Sequence, residues 1–133
     1  MGYDPEWVLE GILAKSSRPG HRSENVSIGT VDSWIEKAKK MGVNSIICFL
    51  ADSQLDFYSG IPSGLLEHYR NSGLEVLHLP EDDYLSPPLS DENLSRAVSG
   101  FEELEKPVLI HCSAGIDRTG LAISTILDKS NSS

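Results

Sequence analysis

Residues 107–124 read PVLIHCSAGIDRTGLAIS, and this stretch decides how the chain is understood. PVLIHC is a short apolar run, the pattern of a strand covered on both faces. RTGLAISTILDK, which starts at Arg118, repeats apolar side chains at helical spacing. Between them SAGID must turn the chain from strand to helix, and Gly115 supplies a backbone conformation that other residues resist. Such a join is a ready anion site. Successive loop N–H groups form a nest, and the helix N-terminus adds the positive end of its dipole. A thiolate is favoured in that kind of field, and Cys112 stands at its edge. Arg118, entering the helix, can present a planar fork to two oxygens of one anion. Gly120 is expected to let the helix start close to the strand and loop. A nucleophile, an anion cradle and a fixed cation thus share one turn of chain.

Working outward, strand-like and helix-like segments alternate. GILAKS reads as an early strand, followed by a loop through SRPGH. TVDSWIEKAKKMG reads as a helix from Thr30, its N-cap, to Gly42, its stop. The KAKK run at 37–40 is its solvated last turn, where cations suit the dipole. NSIICFLA is an isoleucine-rich strand, SGLLEHYRNSG a shorter helix ending at Gly73, and LEVLHL a further strand with His78 at the core edge. Ser90 caps SDENLSRAVSGFEELEK, with Asp91 and Glu92 in the first turn. This alternation predicts an α/β fold with a central, mostly parallel sheet flanked by helices. In such sheets ligands sit beyond the carboxyl ends of strands, where the opening stretch lies.

The 133 residues are expected to form one domain, 1–133. A formal net charge of −9 repels nucleic acid and anionic lipid, so neither nucleic acid nor a membrane is expected as a partner. No apolar run reaches the length of a membrane span. MGYDPEW lacks the basic-then-apolar pattern of a signal peptide. Met1-Gly2 does not complete a myristoylation site, because Glu6 stands where Ser or Thr is wanted. Cys48 and Cys112 give neither a disulfide framework nor zinc-ligand spacing, which fits a reducing, cytoplasmic setting. The four histidines are scattered; no metal and no cofactor is expected.

His111-Cys112-Ser113-Ala114-Gly115-Ile116-Asp117-Arg118-Thr119-Gly120 resembles the HCxxGxxR[ST]G motif of cysteine-dependent protein-tyrosine phosphatases. Its compact length resembles the dual-specificity branch of that superfamily. Six specified positions would coincide by chance in such a chain about once in a million. That sets aside the bland reading, a buried structural cysteine beside a surface arginine. The order of strands and helices agrees with the resemblance over most of the chain.

The resemblance implies a metal-independent phosphomonoester hydrolase with a phosphocysteine intermediate. It acts on phosphotyrosine in proteins, and on phosphoserine or phosphothreonine if the cleft is shallow. Relatives draw their general acid from an aspartate roughly thirty residues before the cysteine, near prolines, and LPEDDYLSPP at 79–88 fits. Asp83, three residues on from Pro80, is the first choice; Asp82 is the alternative. In the implied roles Cys112 attacks phosphorus and Asp83 protonates the leaving oxygen, then activates water. Arg118 and the backbone amides of Ser113, Ala114, Gly115, Ile116, Asp117 and Arg118 hold the oxygens. Thr119 donates to the sulfur, and His111 orients the loop. The loop carries no lysine, and Asp117 adds negative charge. Inositol-lipid and RNA 5′-triphosphate substrates are therefore disfavoured, and a phosphorylated protein is the expected partner.

Several alternatives stay open. Arg18, in SSRPG, either reaches the phosphate site or serves a turn. Cys48 is either a small buried hydrophobe or the partner of Cys112 in a reversible disulfide. Relatives continue with further helices after the loop helix. A short C-terminal end is thus expected here, its bare face covered by a partner or a second copy. A phosphatase for a non-protein ester shares all these residues. A silent phosphoprotein-binding module would typically lack the cysteine, arginine or acid, and a sulfur transferase would need neither Thr119-Gly120 nor the upstream aspartate.

Overall fold

The apolar run ahead of Cys112 becomes the middle strand of a five-stranded sheet. The computed structural model describes residues 4–132; Met1-Gly2 and the last residue of the polar tail lie outside them. β1 (Glu6–Leu9) and β2 (Leu13–Ser16) form an antiparallel hairpin. β3 (Ser45–Cys48), β4 (Glu75–His78) and β5 (Val108–His111) complete the order β1-β2-β5-β3-β4. Apart from the hairpin every pairing is parallel. Every residue of β3 and β5 is buried, as strands with helices on both faces require.

The pleat sends alternate side chains to opposite faces, and each face builds its own core. On one, Ile46, Cys48 and Leu109 meet Trp34, Ile35 and Ala38 of α1 (Ile28–Lys40) and Tyr69 of α3 (Leu65–Asn71). On the other, Ile47, Phe49, Ile110 and Cys112 meet Ala97 and Phe101 of α4 (Asp91–Glu103) and Ala122 and Ile126 of α5 (Asp117–Ser132). Fully burying one large apolar side chain contributes about 1.5–3 kcal/mol, so both layers are needed to hold the short strands together. Cys48 and Cys112 therefore belong to different cores, separated by the sheet. Both are free here.

Three local features differ from the sequence expectation. β1 is an additional strand, returned into β2 through a turn at Glu10-Gly11-Ile12, where Gly11 has φ +77°. Helix α1 is capped by Ser27 rather than Thr30: Ser27 Oγ accepts from Thr30 N–H at 3.2 Å. Ile28, Gly29 and Thr30 are weak helix formers, but a side-chain cap worth about 1 kcal/mol secures the earlier start. A short helix, α2 (Asp52–Leu55), follows β3 and runs into a 3₁₀ turn over Asp56–Tyr58. Ser90 caps α4 as expected, accepting from Asn93 N–H at 3.1 Å. No helix of the described residues is long and apolar enough to cross a membrane.

Candidate active site

β5 ends at His111, and the chain then loops from Cys112 to the start of α5 at Asp117. Gly115 has φ +78°, in the left-handed region. A Cβ there would also lie 2.5 Å from Ser16 O and 2.7 Å from Ser16 C, so the loop packs directly on the end of β2. Two independent demands, conformation and space, thus exclude any side chain at this position. Arg18 N–H donates to Ser113 O at 2.8 Å, fastening the loop from the same side. Among the described residues the first N–H of loop or helix to reach a backbone carbonyl is that of Gly120, donating to Ile116 O at 2.8 Å. The N–H groups of residues 113–119 thus have no backbone carbonyl as partner, as at the first turn of a helix. Gly120 is exposed and a Cβ there would meet nothing within 4 Å. The expectation that it permits close approach is corrected: at this point α5 turns it toward solvent.

His111 is fully buried below the loop. Its Nδ1 lies 3.1 Å from Cys112 O and its Nε2 2.9 Å from Tyr69 Oη. A carbonyl only accepts, so Nδ1 carries the proton and Nε2 takes the one offered by Tyr69. Burial is the main reason that the His111 pKa falls to about 4, with Arg118 and Arg18 also lowering it. The ring is neutral near pH 7 and is edge-on to both Trp34 and Tyr69. It thus ties the first loop residue to α3 through Tyr69.

Cys112 lines a small cleft of about 190 Å³ together with Ser113, Ala114, Ile116, Asp117, Arg118, Asp83, Tyr84 and His21. Full ligand pockets usually run to ~300–1,000 Å³, so this one suits a single anionic group rather than a whole large ligand. Arg118 is 1% exposed. Its Nη1 donates to Phe49 O at 3.0 Å, to Gln54 Oε1 at 3.1 Å and to Glu81 O at 2.6 Å. Its Nη2 pairs with Asp83 Oδ1. The fork is thus narrower than the sequence implied, because protein carbonyls have taken one end of it.

Asp83 is brought into the cleft, whereas Asp82 is exposed and does not line it. Thr119 Oγ1 is buried without a hydrogen-bond partner, so the expected donation to the Cys112 sulfur is not formed. Arg18 does not reach the cleft. Its guanidinium is buried 4.6 Å over the Phe57 ring and donates to Ser23 O at 2.7 Å and Tyr58 Oη at 3.3 Å. The turn reading holds for its side chain. His78, half-buried, donates from Nε2 to Leu50 O at 2.7 Å and ties β4 to the chain beyond β3.

Two participants escaped the sequence reading. His21 lines the cleft, its pKa lowered first by burial and then by Arg18 and Arg22. Gln54, on α2, bridges Asp83 and Arg118. Neither belongs to a motif; the polar turn DSQLDFYSG after β3 is the only trace of Gln54 in the sequence.

This geometry, a loop of free backbone N–H groups on a strand end facing a carboxylate across a small cleft, places the chain in the DSP-like phosphatase superfamily. The family model described as "Tc-R-P: Polymorphic toxin system, DSP-PTPase phosphatase" matches residues 64–131, just over half of the chain, and the chain belongs to that family. The dual specificity protein phosphatase OPG106 of vaccinia virus (strain Western Reserve) is 30% identical over 63 residues, 46% of this chain. The match spans 37% of the length of that curated relative. Among solved structures, Tk-PTP in its active form covers 100% of this chain and 78% of its own, with a TM-score of 0.68 at 23% identity. The core catalytic domain of the PP-IP phosphatase SIW14 from S. cerevisiae covers 98% of this chain and 70% of its own, with a TM-score of 0.61 at 18% identity. At such identities the structures establish the fold.

Proposed function

We propose that this chain hydrolyses phosphomonoesters through a phosphocysteine intermediate, with phosphotyrosine in proteins as the preferred substrate. The observation that carries the reading is the meeting of Cys112, Arg118 and Asp83 in one small cleft over an N–H-lined loop. In the first step Cys112 Sγ bonds to phosphorus in line as the P–O bond to the leaving group breaks. Asp83 gives that oxygen its proton. Arg118 and the loop amides hold the three non-bridging oxygens and their growing charge. In the second step Asp83, now ionised, takes a proton from water as the water oxygen attacks phosphorus, and Cys112 leaves as thiolate. Thr119 Oγ1, buried and unpartnered, is the group within the helix start that would donate to that thiolate. No step calls for a metal.

Two exposed apolar groups favour an aryl ester. Tyr84 is 94% exposed and Ile116 63% exposed, and both line the cleft. A flat ring entering between them would bury surface that water now covers. Asp83 and Asp117 on the same walls oppose highly anionic headgroups. The family's setting in polymorphic toxin systems fits an enzyme that strips regulatory phosphate from proteins in a reducing cytoplasm.

Steady-state hydrolysis of p-nitrophenyl phosphate in EDTA, for the protein and for Cys112→Ser, is the direct test. Turnover that survives EDTA and disappears in the variant is the expected result. Absence of turnover in both, with phosphate still bound, would replace the reading by a silent phosphate-binding module.

A further inference from the structure

Arg118 offers five N–H groups, and their partners show which edge remains for a substrate. Nη1 is committed to Phe49 O, Gln54 Oε1 and Glu81 O. Nε is buried and has no partner. A planar fork takes a phosphate through two parallel N–H groups along one edge, so the edge left is Nε–Nη2. Asp83 Oδ1 now sits on Nη2. Nη2 carries two N–H groups, and Gln54, which contacts both Asp83 and Nη1, marks Asp83 as lying toward the Nη1 end, next to the edge a phosphate would take.

An acid beside the phosphate edge is useful only if it is held there. Gln54 supplies the hold: its Nε2 donates to Asp83 Oδ2 at 2.6 Å, the oxygen that is not on Arg118. Its Oε1 accepts from Arg118 Nη1 at 3.1 Å and from Ala51 N–H at 3.0 Å. The amide cannot be turned over. A flip would set its NH₂ against two donors and its carbonyl against a carboxylate. Three partners thus fix one half-buried side chain in one orientation, with the donor end aimed at the acid.

Building on the phosphatase reading above, we propose that Gln54 is a positioning residue that keeps Asp83 at the leaving-group oxygen when phosphate takes the Nε–Nη2 edge of Arg118. It touches neither substrate nor sulfur. It acts through Asp83 on proton delivery, and through Arg118 on the end of the guanidinium that phosphate does not use. Losing the donor to Asp83 should harm esters with poor leaving groups, which need the proton, more than esters that depart without it.

The experiment compares kcat for phenyl phosphate and p-nitrophenyl phosphate in the full chain and in two variants. Gln54→Met keeps length and packing but makes neither bond. Its kcat on phenyl phosphate should fall about tenfold further than on p-nitrophenyl phosphate, a fraction of what a general acid supplies. Gln54→Glu keeps the acceptor for Arg118 and Ala51 but loses the donor to Asp83. It should show the same increase in leaving-group dependence while inorganic phosphate still inhibits with near wild-type affinity. Equal losses on both esters in either variant, or no loss in either, would overturn the proposal. If Gln54→Met fails to fold, Gln54→Glu decides alone. A wild-type protein inactive on both esters would instead overturn the phosphatase reading, so the two failures are distinguishable.

Discussion

Cys48 and Cys112 end neighbouring parallel strands, one residue apart in register, since Cys48 pairs with His111. Both are free and buried. Cys48 points into the core beneath α1 and α3, with Ile46, Leu50 and Leu109 around it. Burial in apolar surroundings pushes its thiol up to about 12, so it stays protonated. Cys112 points to the other face and lines the cleft, under unpaired loop amides and beside Arg118. A single step of the pleat separates an inert cysteine from the proposed nucleophile. Chemistry here follows from which face a residue takes, and the residue type alone does not reveal it.

The comparison can be broken most forcefully at the nucleophile. Cys112→Ser should lower turnover of p-nitrophenyl phosphate by at least about 10⁴-fold, as loss of a covalent nucleophile does elsewhere, whereas Cys48→Ala should keep turnover per folded molecule. Iodoacetamide should modify Cys112 alone in the folded chain, with inorganic phosphate protecting it. Peptide mapping that found Cys48 labelled under native conditions would contradict the contrast.

His111 stands between the two cysteines, and its ionisation gives the next largest effect. Its pKa is about 4 in the folded chain and near the ordinary value of about 6.5 in the unfolded one. The unfolded state therefore binds the proton first. Stability is fully present above about pH 6.5 and is lost as pH falls toward 4, by on the order of 3 kcal/mol in all. Urea midpoints across that window should show the decline, and His111→Gln should flatten it.

A finer test separates the two adjacent acids. Asp83→Asn should reduce kcat on phenyl phosphate by about 10²-fold, with a smaller loss on p-nitrophenyl phosphate. Asp82→Asn, altering an exposed carboxyl outside the cleft, should leave both near wild type. The reverse pattern would transfer the acid role to Asp82. The smallest effect is expected at the other cysteine: Cys48→Ala removes one buried sulfur and should cost about 1 kcal/mol in a denaturant titration.

Much of this was legible in the chain because it is local. The run PVLIHC, Gly115 between strand and helix, Arg118 at the helix start and Ser90 ahead of an acidic first turn each encode their conformation within a few residues. LPEDDYLSPP was singled out through the family resemblance, whose offset from Pro80 favoured Asp83, the one of the two acids that lines the cleft. The start of α1 was harder, since Gly29 and the β-branched Ile28 argue against helix while only the Ser27 hydroxyl argues for it. β1 is four residues long and gains its meaning from pairing with β2. Gly120, so prominent in the motif, has open space beside it, which no local pattern reveals.

Local sequence was enough for the alternation of strands and helices and for the glycine turn that joins β5 to α5, because periodicity, caps and turn glycines act over short stretches. Tertiary packing settled that the two cysteines lie in different cores, that Arg18 builds a turn while Arg118 meets Asp83, and that Gln54 joins acid to arginine. Those depend on the parity of strands and the crossing of separate loops, and such contacts between distant residues leave no periodic mark in the chain.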